Sequence, residues 1–282
     1  MKIKKPSRRT VALALIVSLG VIFVSANLTY GVHKQYINWA GAEASIKGLD
    51  GIDQPISEIS ATILVSQIYS PPPSQIDRNV DQVMTSWVGL TNNSAKLLAQ
   101  TGYVGSVSNN GTFTLFYEVW PSELMQFFQV EHRNYTTNVV RYYYTPVYVN
   151  PGEKINFKVV RGLGQWMFEA TLSNGTEYNA TDYHENFTAY QAELITEAYS
   201  MGSSNITQQI ARFSTVSFYS AIVYSQGKVY NFSMLRYELI WMDQTGYGNF
   251  NVESHFSDGT LVTNWQNSNY DYSYIKEQDK NI

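Results

Sequence analysis

Short runs of β-branched and aromatic residues recur along this chain between clusters of Gly, Asn, Pro and Ser. The runs are Ala61–Tyr69, Val83–Leu90, Leu97–Val107, Thr112–Trp120, Val139–Val149, Ile155–Val160, Trp166–Leu172 and Val216–Tyr224. The breaks include Pro71-Pro72-Pro73, Asn109-Asn110-Gly111, Asn150-Pro151-Gly152, Ser173-Asn174-Gly175 and Gln226-Gly227. Beyond the N-terminal segment, long helical periodicity is hard to find. Many short strands at this spacing, with no crossover helices between them, predict an all-β, antiparallel sandwich or barrel.

Two segments need a closer reading. In Thr112–Trp120 one face carries Phe113, Leu115, Tyr117 and Val119, an ordinary core face; the other carries Thr114, Phe116, Glu118 and Trp120. The second face sets a carboxylate among aromatics, as on the floor of a cleft or on an exposed strand. Gln191–Tyr199 favours a helix on propensity, because Ala192, Glu193, Leu194, Ile195, Glu197 and Ala198 all suit one. As a strand, it would place Gln191, Glu193, Ile195 and Glu197 on one face.

The N-terminus has a basic stretch to Arg9, an apolar run from Val11 to Val24, and then Ser25 and Ala26. Fourteen apolar residues at about 1.5 Å each fall short of a roughly 30 Å hydrocarbon core. Residues 1–26 therefore read as a signal peptide cleaved near Asn27, with an uncleaved membrane anchor through residues 10–26 as the rival. Either way the body is expected outside the cell, secreted or on the outer face of the membrane. Nine Asn-x-Ser/Thr sequons (Asn27, Asn92, Asn110, Asn134, Asn174, Asn179, Asn186, Asn205, Asn231) suit a glycosylated exoprotein. Without residues 1–26 the 19 Lys+Arg fall to 14 against 23 Asp+Glu, a net charge of −9, which argues against nucleic acid as a partner. Few charges and 22 tyrosines give a surface wetted mainly by neutral groups, compatible with acid surroundings. There is no cysteine, so thiolate catalysis and Cys-ligated zinc are excluded. The four histidines (His33, His132, His184, His255) show no ligand spacing, so neither metal nor cofactor is expected.

Several segments, in order, resemble the glutamic peptidases, or eqolisins. They are Asn38-Trp39-Ala40-Gly41, Ile59-Ser60-Ala61-Thr62, Ser86-Trp87-Val88-Gly89-Leu90 and Leu98-Ala99-Gln100-Thr101-Gly102. Further on come Phe116-Tyr117-Glu118-Val119-Trp120-Pro121, Val149–Val159 and Ala192-Glu193-Leu194-Ile195-Thr196-Glu197. The resemblance spans about residues 36–225 and implies a two-sheet, lectin-like (concanavalin-like) sandwich with the site on one sheet. It also overrides the helical reading of Gln191–Tyr199. It implies Gln100 and Glu197 as a catalytic pair meeting across adjoining strands, with Glu118, Trp39 and Trp87 supporting them. A carboxylate can take a proton from water as it attacks the scissile carbonyl and return it to the leaving nitrogen. A side-chain amide can hold that water and donate to the developing oxyanion. For a base working at acid pH, hydrogen bonds favouring the ionised Glu197 are expected.

This chain departs from the family pattern at Thr91, where an acidic residue usually follows the Trp-Val-Gly stretch. Gln126–Tyr148 is a Tyr-rich insertion, read as a longer hairpin beside the cleft or an interaction surface. Residues 27–264 would form the sandwich domain and 265–282 a tail without assigned chemistry. The expected protein is a monomeric acid endopeptidase acting on polypeptide substrates. The competing readings are a non-catalytic cell-surface sandwich that binds glycans or proteins, and a structural envelope subunit.

Overall fold

A computed structural model describes residues 36–69, 81–92, 97–106, 112–121, 125–136, 139–201, 212–213, 215–243, 251–266 and 273–276. The N-terminal segment 1–26 and the turns at 71–73 and 109–111 lie outside the described residues. No helix among the described residues is long and apolar enough to cross a membrane.

The first strands are β1 (Tyr36–Ser45), β2 (Glu58–Leu64), β3 (Ile68–Tyr69), β4 (Asp81–Thr91), β5 (Leu98–Ser106), β6 (Phe113–Trp120) and β7 (Gln126–Phe127). Next come β8 (Gln129–Thr136), β9 (Val139–Pro146), β10 (Tyr148–Val149), β11 (Lys154–Arg161), β12 (Trp166–Leu172), β13 (Glu177–Asp182) and β14 (Gln191–Met201). The last are β15 (Arg212–Phe213), β16 (Val216–Ser225), β17 (Lys228–Asn231), β18 (Arg236–Asp243), β19 (Asn251–Ser257), β20 (Thr260–Gln266) and β21 (Ser273–Lys276). Every pairing among them is antiparallel.

Two large sheets form. One runs β10-β6-β5-β4-β14-β1-β18-β21, with β7 also on β6; the other runs β13-β12-β11-β2-β16-β20-β19, with β17 on β16. Strand pairing thus continues past residue 264, through Gln266 of β20 and Ser273–Lys276 of β21. The alternation of the sequence fixes which face each sheet buries. Val88, Tyr103, Phe113, Leu115, Ala192 and Leu194 of the first sheet meet Ile59, Phe157, Trp166, Phe168 and Phe218 of the second in one core. Tyr103 also ties across it: its hydroxyl accepts from the Ser66 amide at 3.2 Å. The hairpin β16–β17 turns on Gln226 and Gly227, both at positive φ (49° and 75°), as a two-residue turn between twisted strands requires.

Candidate active site

The opposite face of the first sheet carries a second, smaller apolar cluster: Trp87, Phe116, Met125, Ile195 and Ile240, flanked by Trp39, Leu98, Val104 and Phe127. The family-motif residues gather on this outer face. Gln100 (β5), Trp87 (β4), Glu118 (β6), Glu197 (β14) and Trp39 (β1) all belong to the sheet, and their parity puts them on one side of it. Gln100 and Glu197 therefore share a sheet and a face. They are not on adjoining strands, however: β4 runs between β5 and β14.

The register explains the layout. Gln100 pairs with Glu118 on one side and Gly89 on the other, and Gly89 pairs with Glu193, which pairs with Glu43, which pairs with Glu238. Glu197 lies four residues along β14 from that row, beside Thr85 on β4 and Trp39 on β1. In a flat sheet, Glu118 and Glu197 would be roughly 19 Å apart, from three strand spacings and four residue rises. A screened charge interaction fades over about 8–10 Å. Yet the charge of Glu197 acts on Glu118. Right-handed strand twist shortens such diagonals, and Gln100, one strand in from Glu118, shares the outer face with both carboxyls.

Gln100 is buried, and its Nε2 donates to Glu118 Oε2 at 2.7 Å. That bond fixes the amide orientation and leaves the Gln100 Oε1 buried without a partner. Such an atom is costly unless something else satisfies it. Glu197 Oε2 accepts from Thr85 Oγ1 at 3.2 Å. The indole Nε1–H of Trp87, buried and making no hydrogen bond of full geometry, lies close enough to favour the ionised carboxylate. Burial nevertheless wins over both donors and pushes Glu197 up to about 6. Donors favouring the ionised form are present, as expected for a base working at acid pH, but desolvation outweighs them. Glu118 rises to about 7, mainly by burial and further by the charge of Glu197, against the opposing bond from Gln100.

Two acids that the sequence reading did not single out as functional join them. Glu193 is pushed up to about 8 by burial and by the charges of Glu43 and Glu197, and Glu43 is raised by burial and by Glu238. Gln191 donates to the Glu43 carboxylate. Glu193 shares a strand face with Glu197 in any extended reading of the segment, so its position was recoverable; the approach of β1 with Glu43 was not. Thr91 is buried, and its hydroxyl donates to the Asn92 carbonyl at 2.8 Å rather than tuning a second acid. Gly89 leaves the space occupied by the Trp87 ring, since a Cβ there would meet ring atoms at 2.8 and 3.2 Å. Among the described residues, no group of three or more His, Cys, Asp or Glu side chains is placed to hold a metal ion.

An amide and a carboxyl thus share one outer face of a two-sheet sandwich, with Trp39 and Trp87 beside them. The chain belongs to the Peptidase A4 family, whose model matches residues 37–265, and is a glutamic endopeptidase by that membership. Two solved structures share the fold. Scytalido-glutamic peptidase with a peptide-based transition-state analogue is 16% identical with a TM-score of 0.53, covering 83% of this chain and 100% of that one. The same peptidase with a transition-state analogue inhibitor is 17% identical with a TM-score of 0.54, at the same coverage. No curated protein matches this chain in sequence.

Proposed function

We propose that this chain is an extracellular, acid-active endopeptidase in which Gln100 and Glu197 activate water against a peptide carbonyl. The observation that carries the reading is the polarity of Gln100. One N–H is held by Glu118, leaving a second N–H and a buried, unpartnered Oε1 on the sheet face that also carries Glu197. In this mechanism Oε1 accepts from the attacking water, and the Glu197 carboxylate takes the water's proton. The new C–O bond forms, and the free N–H of Gln100 donates to the oxyanion. Glu197 then delivers its proton to the leaving nitrogen as the C–N bond breaks. Glu118 keeps the amide from flipping, while Trp39 and Trp87 wall the cleft. The raised position of Glu197 shifts the working range upward: the base form accumulates only as pH approaches about 6.

Denatured casein is the test substrate, incubated from pH 2 to 7 with the wild type, Gln100→Ala and Glu197→Gln. Gln100→Ala is expected to lose on the order of 10²–10³ in kcat, as for other oxyanion donors. Glu197→Gln should fall to background. Equal activity in all three proteins would remove this dyad. No proteolysis by the wild type at any pH would favour the non-catalytic binding sandwich.

A further inference from the structure

The insertion Gln126–Tyr148 forms a ribbon whose strands β8 and β9 pair only with each other among the described residues. Both its outer edges therefore present backbone N–H and C=O groups, the arrangement that accepts an added strand. A bare two-stranded hairpin is marginal in water, so this ribbon relies on its root and its side-chain network. At the root, the Phe128 amide donates to the Leu115 carbonyl at 3.1 Å, and the Val147 amide to the Phe128 carbonyl at 2.9 Å. β7 and β10, on either side of the ribbon, both pair with β6, the strand that bears Glu118. Met125 and Phe127, just before the ribbon, pack into the same outer-face cluster as Trp87 and Trp39. The ribbon is thus continuous with the catalytic face.

Its side chains are arranged to make contact. On one face Arg133 lies over the Tyr142 ring at 5.6 Å and bonds Glu131 at 2.9 Å, while the Tyr144 hydroxyl donates to Glu131 at 3.2 Å. On the other face Tyr143 stacks on His132 with ring centroids 4.9 Å apart. Tyr142, Tyr143 and Tyr144 all remain more than half exposed. Arg133 and Glu131 balance each other and Arg141 leaves the ribbon a single net positive charge, so the surface offers aromatic contact and backbone pairing rather than a field for a polyanion. That chemistry fits an extended, uncharged stretch of polypeptide.

We propose that the ribbon β8–β9 is an exosite that takes an extended segment of the polypeptide substrate, beyond the residues lying over Gln100 and Glu197, onto its open edge and tyrosine faces. The inference rests on the peptidase reading and names its substrate class: long, unfolded chains rather than short peptides. Eight residues per strand extend the binding surface by about 26 Å.

The test separates the two readings by measuring binding without turnover. In full-length Glu197→Gln protein, with and without Tyr142→Ser and Tyr144→Ser together, the Kd is measured for fluorescently labelled denatured casein and for a labelled hexapeptide. The tyrosine changes are expected to weaken casein binding about tenfold, as for loss of two aromatic anchors, and to leave the hexapeptide Kd unchanged. Unchanged hexapeptide binding also shows that the variant is folded. Equal casein affinity with and without the tyrosines, or equal weakening of both ligands, overturns the exosite. If the wild type cleaves nothing while the casein Kd still depends on the tyrosines, the dyad reading falls and the ribbon stands.

Discussion

At the scale of single residues, the site is governed by burial working against hydrogen bonding. Glu197 has one hydroxyl donor and a nearby indole, yet it rises to about 6 because desolvation by burial outweighs both. Thr85→Val removes that hydroxyl at nearly constant volume. The acidic limb of the kcat/KM profile should then move to higher pH, with activity at pH 5 falling several-fold; an unmoved limb would mean that Thr85 does not tune Glu197. Gly89 is a second sensitive point. An alanine there drives a Cβ to 2.8 Å from the Trp87 ring and 2.9 Å from Leu98. The expected cost is about 1–3 kcal/mol, read by urea unfolding, with lower activity because Trp87 lies beside Glu197. Gln100 and Glu197 could be singled out from the sequence, as the pair now proposed, because they sit in recognisable segments. The direction in which Glu197 shifts was not legible there, since its burial depends on β1 and β4 flanking it on both sides.

At the scale of elements, β14 is the instructive case. Its residues prefer a helix, but β4 pairs with it along its whole length, Gln191–Met201, and β1 along Gln191–Ser200. Long-range ladder bonds and a core-facing Ala192, Leu194 and Ala198 override local propensity. β6 was readable in full, because Phe113, Leu115 and Val119 enter the core and Phe116 and Glu118 the outer face, as strict alternation requires. The strand that separates Gln100 from Glu197 was not readable, because sequence order does not state sheet order. The seam between β4 and β5 holds the site's two halves in register, and it is tight: a Cβ on Gly102 would lie 2.0 Å from the Ser86 carbonyl oxygen. Gly102→Ala must push these strands apart. It should cost at least as much as other overpacking, about 1–3 kcal/mol, and lower kcat with it, whereas a fully active and stable variant would show that the seam is compliant.

At the scale of the whole molecule, the outer-face acids set how stability depends on pH. Glu118, Glu193 and Glu197 lie near 7, 8 and 6 in the folded chain, against 4.5 for an unperturbed glutamate. A carboxyl raised on folding binds its proton more tightly in the folded state, so stability is fully present below about pH 4.5. It drains away as pH rises through about 6 to 8 and is lost above that. Several kcal/mol are at stake, since a tenfold tighter hold on one proton is worth about 1.4 kcal/mol. The melting temperature at pH 4 should exceed that at pH 8 by on the order of 10 °C, and Glu193→Gln should narrow that gap. A flat profile would mean that the row opens to water.

The antiparallel path of the catalytic sheet also has a bearing on biosynthesis. β4, β5 and β6 follow one another and can zip together while translation proceeds, carrying Gln100 and Glu118 with them. Glu197 arrives on β14, and β1, the first strand among the described residues, stays bare on one side until β18 emerges at Arg236–Asp243. The proposed pair can therefore come together only once β14 has left the ribosome, well after β5.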